Sequence, residues 1–123
     1  MMSHLIRPLS AAALAALCLA SAGCANRSRP LYEWGSYQQQ VYEHFKSTST
    51  GPEEQLIALQ KDLEEIRSDG MSPPPGFYAH MGMLYASIGQ DDKAMQAFDN
   101  EKSLFPESAK YLDFLMSKAK NKK

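Results

Sequence analysis

The sequence predicts an all-α domain of about five helices, arranged as helical hairpins and closed by a C-terminal capping helix. Three observations carry this. Leu56, Leu59, Leu63 and Ile66 recur at 3-4-3 spacing, the narrow apolar seam of one helix. Tyr78, Met81, Gly82 and Tyr85, then Ala94, Ala97 and Phe98, form two further amphipathic patterns on either side of Gly89-Gln90-Asp91-Asp92. Helix breakers (Gly51-Pro52, Asp69-Gly70, Ser72-Pro73-Pro74-Pro75-Gly76 and Pro106) fall between these patterns rather than inside them.

Length and composition bound the architecture. The chain has 123 residues, 44% of them hydrophobic, which is ordinary for a globular protein and argues against wholesale disorder. Formal charge is −1, so the chain has no basic excess to serve as an electrostatic footprint for nucleic acid. It carries Cys18 and Cys24.

Residues 1–23 have the three-part form of a secretory signal, with Arg7 in a short polar start and an apolar run from Leu9 to Ala22. That run is too short to span a bilayer comfortably. Its end, Leu19-Ala20-Ser21-Ala22-Gly23-Cys24, resembles a lipobox. Ala22, Gly23 and Cys24 match, while Ser21 stands where leucine is usual. The resemblance implies that residues 1–23 are removed as a lipoprotein signal peptide and that Cys24 is acylated. Ala25, rather than Asp, follows the cysteine, which by the same resemblance implies the outer membrane, with the domain on the periplasmic side. The alternative is an ordinary signal peptide cut near Ala22 or Ala25. Removal of the leader leaves Cys24 as the lone cysteine, which supports neither an internal disulfide nor a cysteine-based zinc site.

Residues 24–30 read as a tether and residues 31–119 as a single helical domain. The domain opens on Tyr32, Trp34 and Tyr37, followed by Tyr42 and Phe45. Tyr37, Val41 and Phe45 recur every four residues and predict one apolar helix face, with Gly35 marking the helix start. Trp34 reads either as a partner anchor or as a core or staple residue closing this helix. After the loop at residues 47–52, Thr50 and Glu53 are placed for a capping box, and the second helix runs to about Ser68. Its charged residues, Asp62, Glu64 and Glu65 among them, read as a solvated face. Asp69-Gly70 stops it, and the triple proline is expected to hold the two halves apart. A last helix from Glu107 to about Lys118 carries Tyr111, Leu112, Leu115 and Met116 and reads as the cap. Residues 120–123 form a basic tail.

The spacing of Tyr78, Gly82, Tyr85, Gly89, Ala94, Phe98 and Pro106 within residues 75–106 resembles one tetratricopeptide repeat, a helix–turn–helix unit of about 34 residues. Glu101 stands where that family has its second alanine. The small Gly82 and Ala94 suit a close helix approach, and Gly89 suits a left-handed turn residue. By the same resemblance, Ala79, Met83 and Ala86 would line the family's groove. They lack the Lys and Asn that clamp a peptide carboxylate. They are open either to an apolar partner helix or to the chain's own aromatic helix around Tyr37 and Phe45.

No catalytic constellation stands out. Of the mature histidines, neither His44 nor His80 has a second ligand at i+3 or i+4, and no Gly-rich phosphate loop or nucleophile elbow occurs. The reading is therefore non-enzymatic, with no cofactor, metal or nucleic acid. The lipobox, the aromatic start Tyr32, Trp34, Gly35, Tyr37 and the helical remainder resemble a family of small bacterial lipoproteins of unknown function. Its members are often encoded beside a lipoprotein related to the curli secretion channel. The resemblance implies a protein-binding scaffold or accessory factor for an envelope or secretion assembly. Its partner would be another envelope protein, with a channel-like lipoprotein as one candidate. Trp34, Tyr37, Ala79, Met83 and Ala86 are the candidate contact residues. The alternative is a regulator of cell-wall enzymes or a peptidoglycan-associated structural lipoprotein.

Overall fold

The structure, a computed structural model, describes residues 28–46 and 49–120. Cys24, the leader, the first part of the tether and residues 121–123 of the basic tail lie outside the described residues. The chain divides after Pro30, and the unit that begins at Leu31 is all-α. It contains α1 (Tyr37–Lys46), α2 (Pro52–Ser68), α3 (Phe77–Ser87), α4 (Asp91–Leu104) and α5 (Ala109–Lys120). A 3-10 turn, Pro106–Ser108, leads into α5, so Pro106 starts a tight turn and the α-helix proper begins three residues later. No strand occurs among the described residues.

Each helix packs on the next, most extensively α3 on α4. The predicted seam of α2 is the seam observed, with Leu56, Leu59, Leu63 and Ile66 all buried. α3 is the central element. Phe77, Tyr78, His80, Met81, Gly82, Leu84 and Tyr85 are all buried, so it is enclosed on several sides rather than along one stripe. Ala94, Ala97 and Phe98 of α4 and Leu112 of α5 complete the core.

Gly82 shows why a side chain is missing there. A Cβ at this position would stand 2.5 Å from the Phe98 ring, so α3 and α4 approach with an aromatic edge against bare backbone. The stops of α2 and α3 are both Schellman motifs. After α2, Met71 N–H donates to Ile66 O and Gly70 N–H to Arg67 O; after α3, Gln90 N–H donates to Tyr85 O and Gly89 N–H to Ala86 O. Gly70 and Gly89 take the left-handed conformation this requires, with φ of 65° and 76°.

The start of α2 differs from the expected capping box. Gly51 is the N-cap, no side chain caps it, and Pro52 occupies the first turn. Proline lacks the N–H that would otherwise need a partner, so the cap side chain is dispensable. The triple proline also differs from a spacer. Pro73 and Pro74 are buried, and Ser72 O accepts a hydrogen bond from Glu33 N–H at 3.0 Å, so the segment is part of the packed unit.

Glu101, the departure from the repeat pattern, has a specific task. It is 2% exposed, and its carboxylate accepts from Gly76 N–H at 2.6 Å, Tyr78 N–H at 3.1 Å and Ala79 N–H at 3.3 Å. These are orphan donors at the N-terminus of α3, whose own N-cap, Gly76, has no side chain to offer. A negative charge there also suits the helix dipole. Burial raises the Glu101 pKa, while the three N–H donors pull it down less than burial pushes it up.

Candidate functional site

The aromatic start is pinned to this same end of the α3–α4 hairpin. Tyr32 packs edge-on against buried Phe105, with ring centroids 5.9 Å apart. Ser36 donates from both N–H and Oγ to Asp62 of α2, at 2.7 and 2.6 Å. Gly35, at φ 48°, lets that carboxylate approach: a Cβ would stand 2.6 Å from Asp62 Cγ. Asp62 is thus a half-buried tie between the start of α1 and α2, not part of a solvated face. Tyr37 then leans on Phe77 and His80, with centroids 5.5 and 6.1 Å away. Burial, and secondarily the Glu101 charge, raise the Tyr37 pKa.

These pins rotate α1 away from the orientation its apolar spacing predicts. The inward stripe is Ser36, Gln40 and His44, with Gln40 buried. Of the expected apolar stripe only Tyr37 packs against the core cluster; Val41 is half-buried and Phe45 is 74% exposed. Phe45 therefore does not fill the space beside α3. Gln38, Val41, Tyr42, Phe45 and Lys46 line a shallow outward depression instead. Trp34 is neither core nor free of contacts: it is 44% exposed and stacks on Tyr37 at 6.2 Å.

Where α1 meets α3, the half-buried His44 faces the buried His80. His80 is 2% exposed, its ring is 5.2 Å from that of His44, and its Nε2 has no hydrogen-bond partner among the described residues. Burial, then the proximity of His44, lower its pKa to about 4. His80 is therefore neutral near pH 7 and can lie against the polar inner face of α1. Among the described residues no group of three or more His, Cys, Asp or Glu is placed to hold a metal ion.

The remaining candidate contact residues lie on a different part of α3. Ala79, Met83 and Ala86 are half-buried and pack against the core cluster. The rings that receive Tyr37 are Phe77 and His80, and Trp34 stacks on Tyr37 in turn.

A groove opens elsewhere, with α3 as its floor and α2 and α4 as walls. Tyr78, Met81 and Tyr85 form the floor; Gln60, Leu63 and Arg67 form one wall; Lys93, Gln96 and Asn100 form the other. The phenol oxygens are tied to the first wall: Gln60 Nε2 donates to Tyr85 Oη at 2.7 Å and Arg67 Nη2 to Tyr78 Oη at 3.2 Å. Across the groove, Lys93 Nζ sits over the Tyr85 ring, 5.5 Å from its centroid. The sequence carried a signal for this groove that periodicity alone does not flag. Gln60, Leu63, Arg67 and Lys93, Gln96, Asn100 share the same i, i+3, i+7 register on consecutive walls.

The outer face of α5 is the third surface. Leu112 is fully buried, while Tyr111 is 60% and Phe114 54% exposed. A helix that caps a stack is expected to turn a polar face outward; this one presents two aromatic rings, with Lys118 Nζ 5.2 Å from the centre of the Phe114 ring. No helix among the described residues is long and apolar enough to cross a membrane.

No curated protein and no solved structure matches the chain. A family model does. Residues 31–115, which run from the aromatic start through the buried part of α5, match the Domain of unknown function DUF4810, and the chain belongs to that family.

Proposed function

We propose that this chain is a non-enzymatic, protein-binding accessory factor of the bacterial envelope. It is held at the periplasmic face of the outer membrane by acyl chains on Cys24. The lipobox resemblance supports the anchor, since two or three acyl chains hold a protein firmly where one does not. Ala22, Gly23 and Cys24 carry that resemblance. The α3–α4 hairpin is read as a single tetratricopeptide-like unit, flanked by a diverged hairpin and a terminal helix.

One observation carries the binding role. The terminal helix buries Leu112 yet exposes Tyr111 and Phe114, so two aromatic rings stand among the exposed Lys110, Asp113 and Lys118. An aromatic face of this kind suits a protein partner, since aromatic side chains are enriched at interfaces. The resemblance to lipoproteins encoded beside a curli-channel-like lipoprotein makes such a channel protein the first partner to test.

The test places a photo-crosslinking residue at Phe114 in the full chain and irradiates living cells. One dominant envelope protein, lost in Phe114→Ser without loss of folding, is the expected result. Absence of any protein adduct, with retention on purified sacculi instead, would replace this reading by a peptidoglycan-associated one. The anchor is checked separately by intact-mass spectrometry of the wild type and Cys24→Ala. An unacylated mature wild type would refute it.

A further inference from the structure

We propose that the α2–α3–α4 groove is a recognition site for a short acidic segment of a polypeptide. The inference rests on the protein-binding reading above and supplies the chemistry of one contact.

The groove is rich in donors. Arg67 and Lys93 place a cation on each wall, and no Asp or Glu lines the groove among the described residues. Both phenol oxygens accept from the first wall, which leaves each Tyr78 and Tyr85 hydroxyl proton free to donate. The side-chain amides of Gln60, Gln96 and Asn100 add further donors, together with carbonyls able to receive a backbone N–H. A site so composed favours ligands with many acceptors and negative charge, because each carboxylate gains charge-assisted bonds to Arg and Lys.

Leu63, Met81 and Ala97 of the lining belong to the buried core, so the groove meets a ligand through its polar walls and its two phenol groups. A polypeptide suits such walls, because it brings carboxylates for the cations and backbone N–H groups for the carbonyls of Gln60, Gln96 and Asn100. Length fits as well. Each wall runs eight residues from first to last, seven helical steps or about 10 Å. That matches about three residues of extended chain. The site is distinct from the face carrying Ala79, Met83 and Ala86, and from the aromatic faces of α1 and α5.

The test is a nuclear magnetic resonance titration of the mature chain with two capped peptides, Gly-Asp-Leu-Glu-Gly and its neutral isostere Gly-Asn-Leu-Gln-Gly. The acidic peptide should shift the side-chain amide signals of Gln60, Gln96 and Asn100 saturably, and more weakly as salt rises. The isostere should bind at least about tenfold more weakly. Lys93→Glu and Arg67→Glu change exposed residues, so they should stay folded and lose the acidic peptide. Equal binding of both peptides, no shift in the groove, or unchanged binding by folded Lys93→Glu would overturn the proposal. So would shifts of the same signals by anionic vesicles or a sulfated glycan but not by the peptide. Crosslinking of a partner through Phe114 that persists in Lys93→Glu, with no peptide binding to the wild type, would end the groove assignment and leave the protein-binding reading standing.

Discussion

Replacing Glu101 by the alanine that the repeat pattern expects should be one of the most damaging single changes in this chain. In the wild type its carboxylate takes three N–H groups at the start of α3. Hydrogen bonds to a charged group contribute about 1.5–3 kcal/mol each, so three set a gross ceiling of roughly 5–9 kcal/mol. Two effects lower the net loss. Burial of the charge is itself unfavourable, as the raised Glu101 pKa records, and alanine removes that term. Gly76 and Ala79 are half-buried, so water reaches their N–H groups in the variant, whereas Tyr78 N–H lies buried and loses its partner. A net loss of about 2–4 kcal/mol follows, which is a large share of the stability of a domain this size. At 4–8 °C per kcal/mol, Tm should fall by roughly 10–30 °C. Thermal and urea unfolding followed by far-ultraviolet circular dichroism reads this directly. Glu101→Gln, which keeps one acceptor and turns an amide donor toward the N–H groups, should fall between. Because the folded pKa is raised, the folded chain takes up this proton at a higher pH than the unfolded chain. Its contribution is therefore greatest below the unfolded pKa and is lost as pH rises through the folded one. Glu101→Ala should lose that slope. If Glu101→Ala melts within about 1 kcal/mol of the wild type, the carboxylate is not what holds the start of α3.

Three other perturbations separate distinct causes. His80 should destabilise the fold as pH drops from 6.5 to about 4, because the unfolded chain takes the proton first, and the total is about 3 kcal/mol at 1.36 kcal/mol per pH unit. His80→Phe keeps a ring against Tyr37 and His44 and should flatten that part of the profile in urea titrations; an unchanged slope would assign it to other groups. Gly82→Ala should cost about 1–3 kcal/mol by forcing a Cβ onto the Phe98 ring, and Phe98→Leu should recover part of it. Gly89→Ala meets nothing within 4 Å, so its cost of about 1–2 kcal/mol should be purely backbone and indifferent to Phe98→Leu.

Helices α2 to α4 were legible because their evidence is local. The 3-4-3 seam, the paired glycine stops and the small residues at the α3–α4 approach are each readable within a few positions, and each is where the structure puts it. Features set by long-range polar contacts were not. Asp62 reads as one more charge on a helix surface, and only its partner Ser36, 26 residues away, makes it a tie. Glu101 stood out solely as a departure from a pattern; that it serves the start of another helix depends on the hairpin's geometry. The groove escaped for a third reason. Its residues are polar, and periodicity arguments search for apolar stripes. The repeat resemblance points instead to Ala79, Met83 and Ala86, which are half-buried against the core.

The orientation of α1 shows how such long-range polar contacts can outweigh a clear apolar pattern. Turning Tyr37, Val41 and Phe45 inward would bury Phe45, a gain of about 1.5–3 kcal/mol. It would also break the two bonds from Ser36 to the Asp62 carboxylate, each about 1.5–3 kcal/mol as a bond to a charged group. The Glu33–Ser72 backbone bond and the Tyr32–Phe105 contact hold the preceding residues in place as well, so the helix cannot rotate without unthreading its own lead-in. The pins win, and the consequence is forced. A polar stripe of Gln40 and His44 goes inward, where His80 must be neutral to receive it, and Tyr42 and Phe45 go outward. The exposed aromatic face of α1 thus follows from how the aromatic start is anchored, just as the outward Tyr111 and Phe114 of α5 follow from the burial of Leu112 and from the ion pair that Asp113 of that helix makes with Lys102.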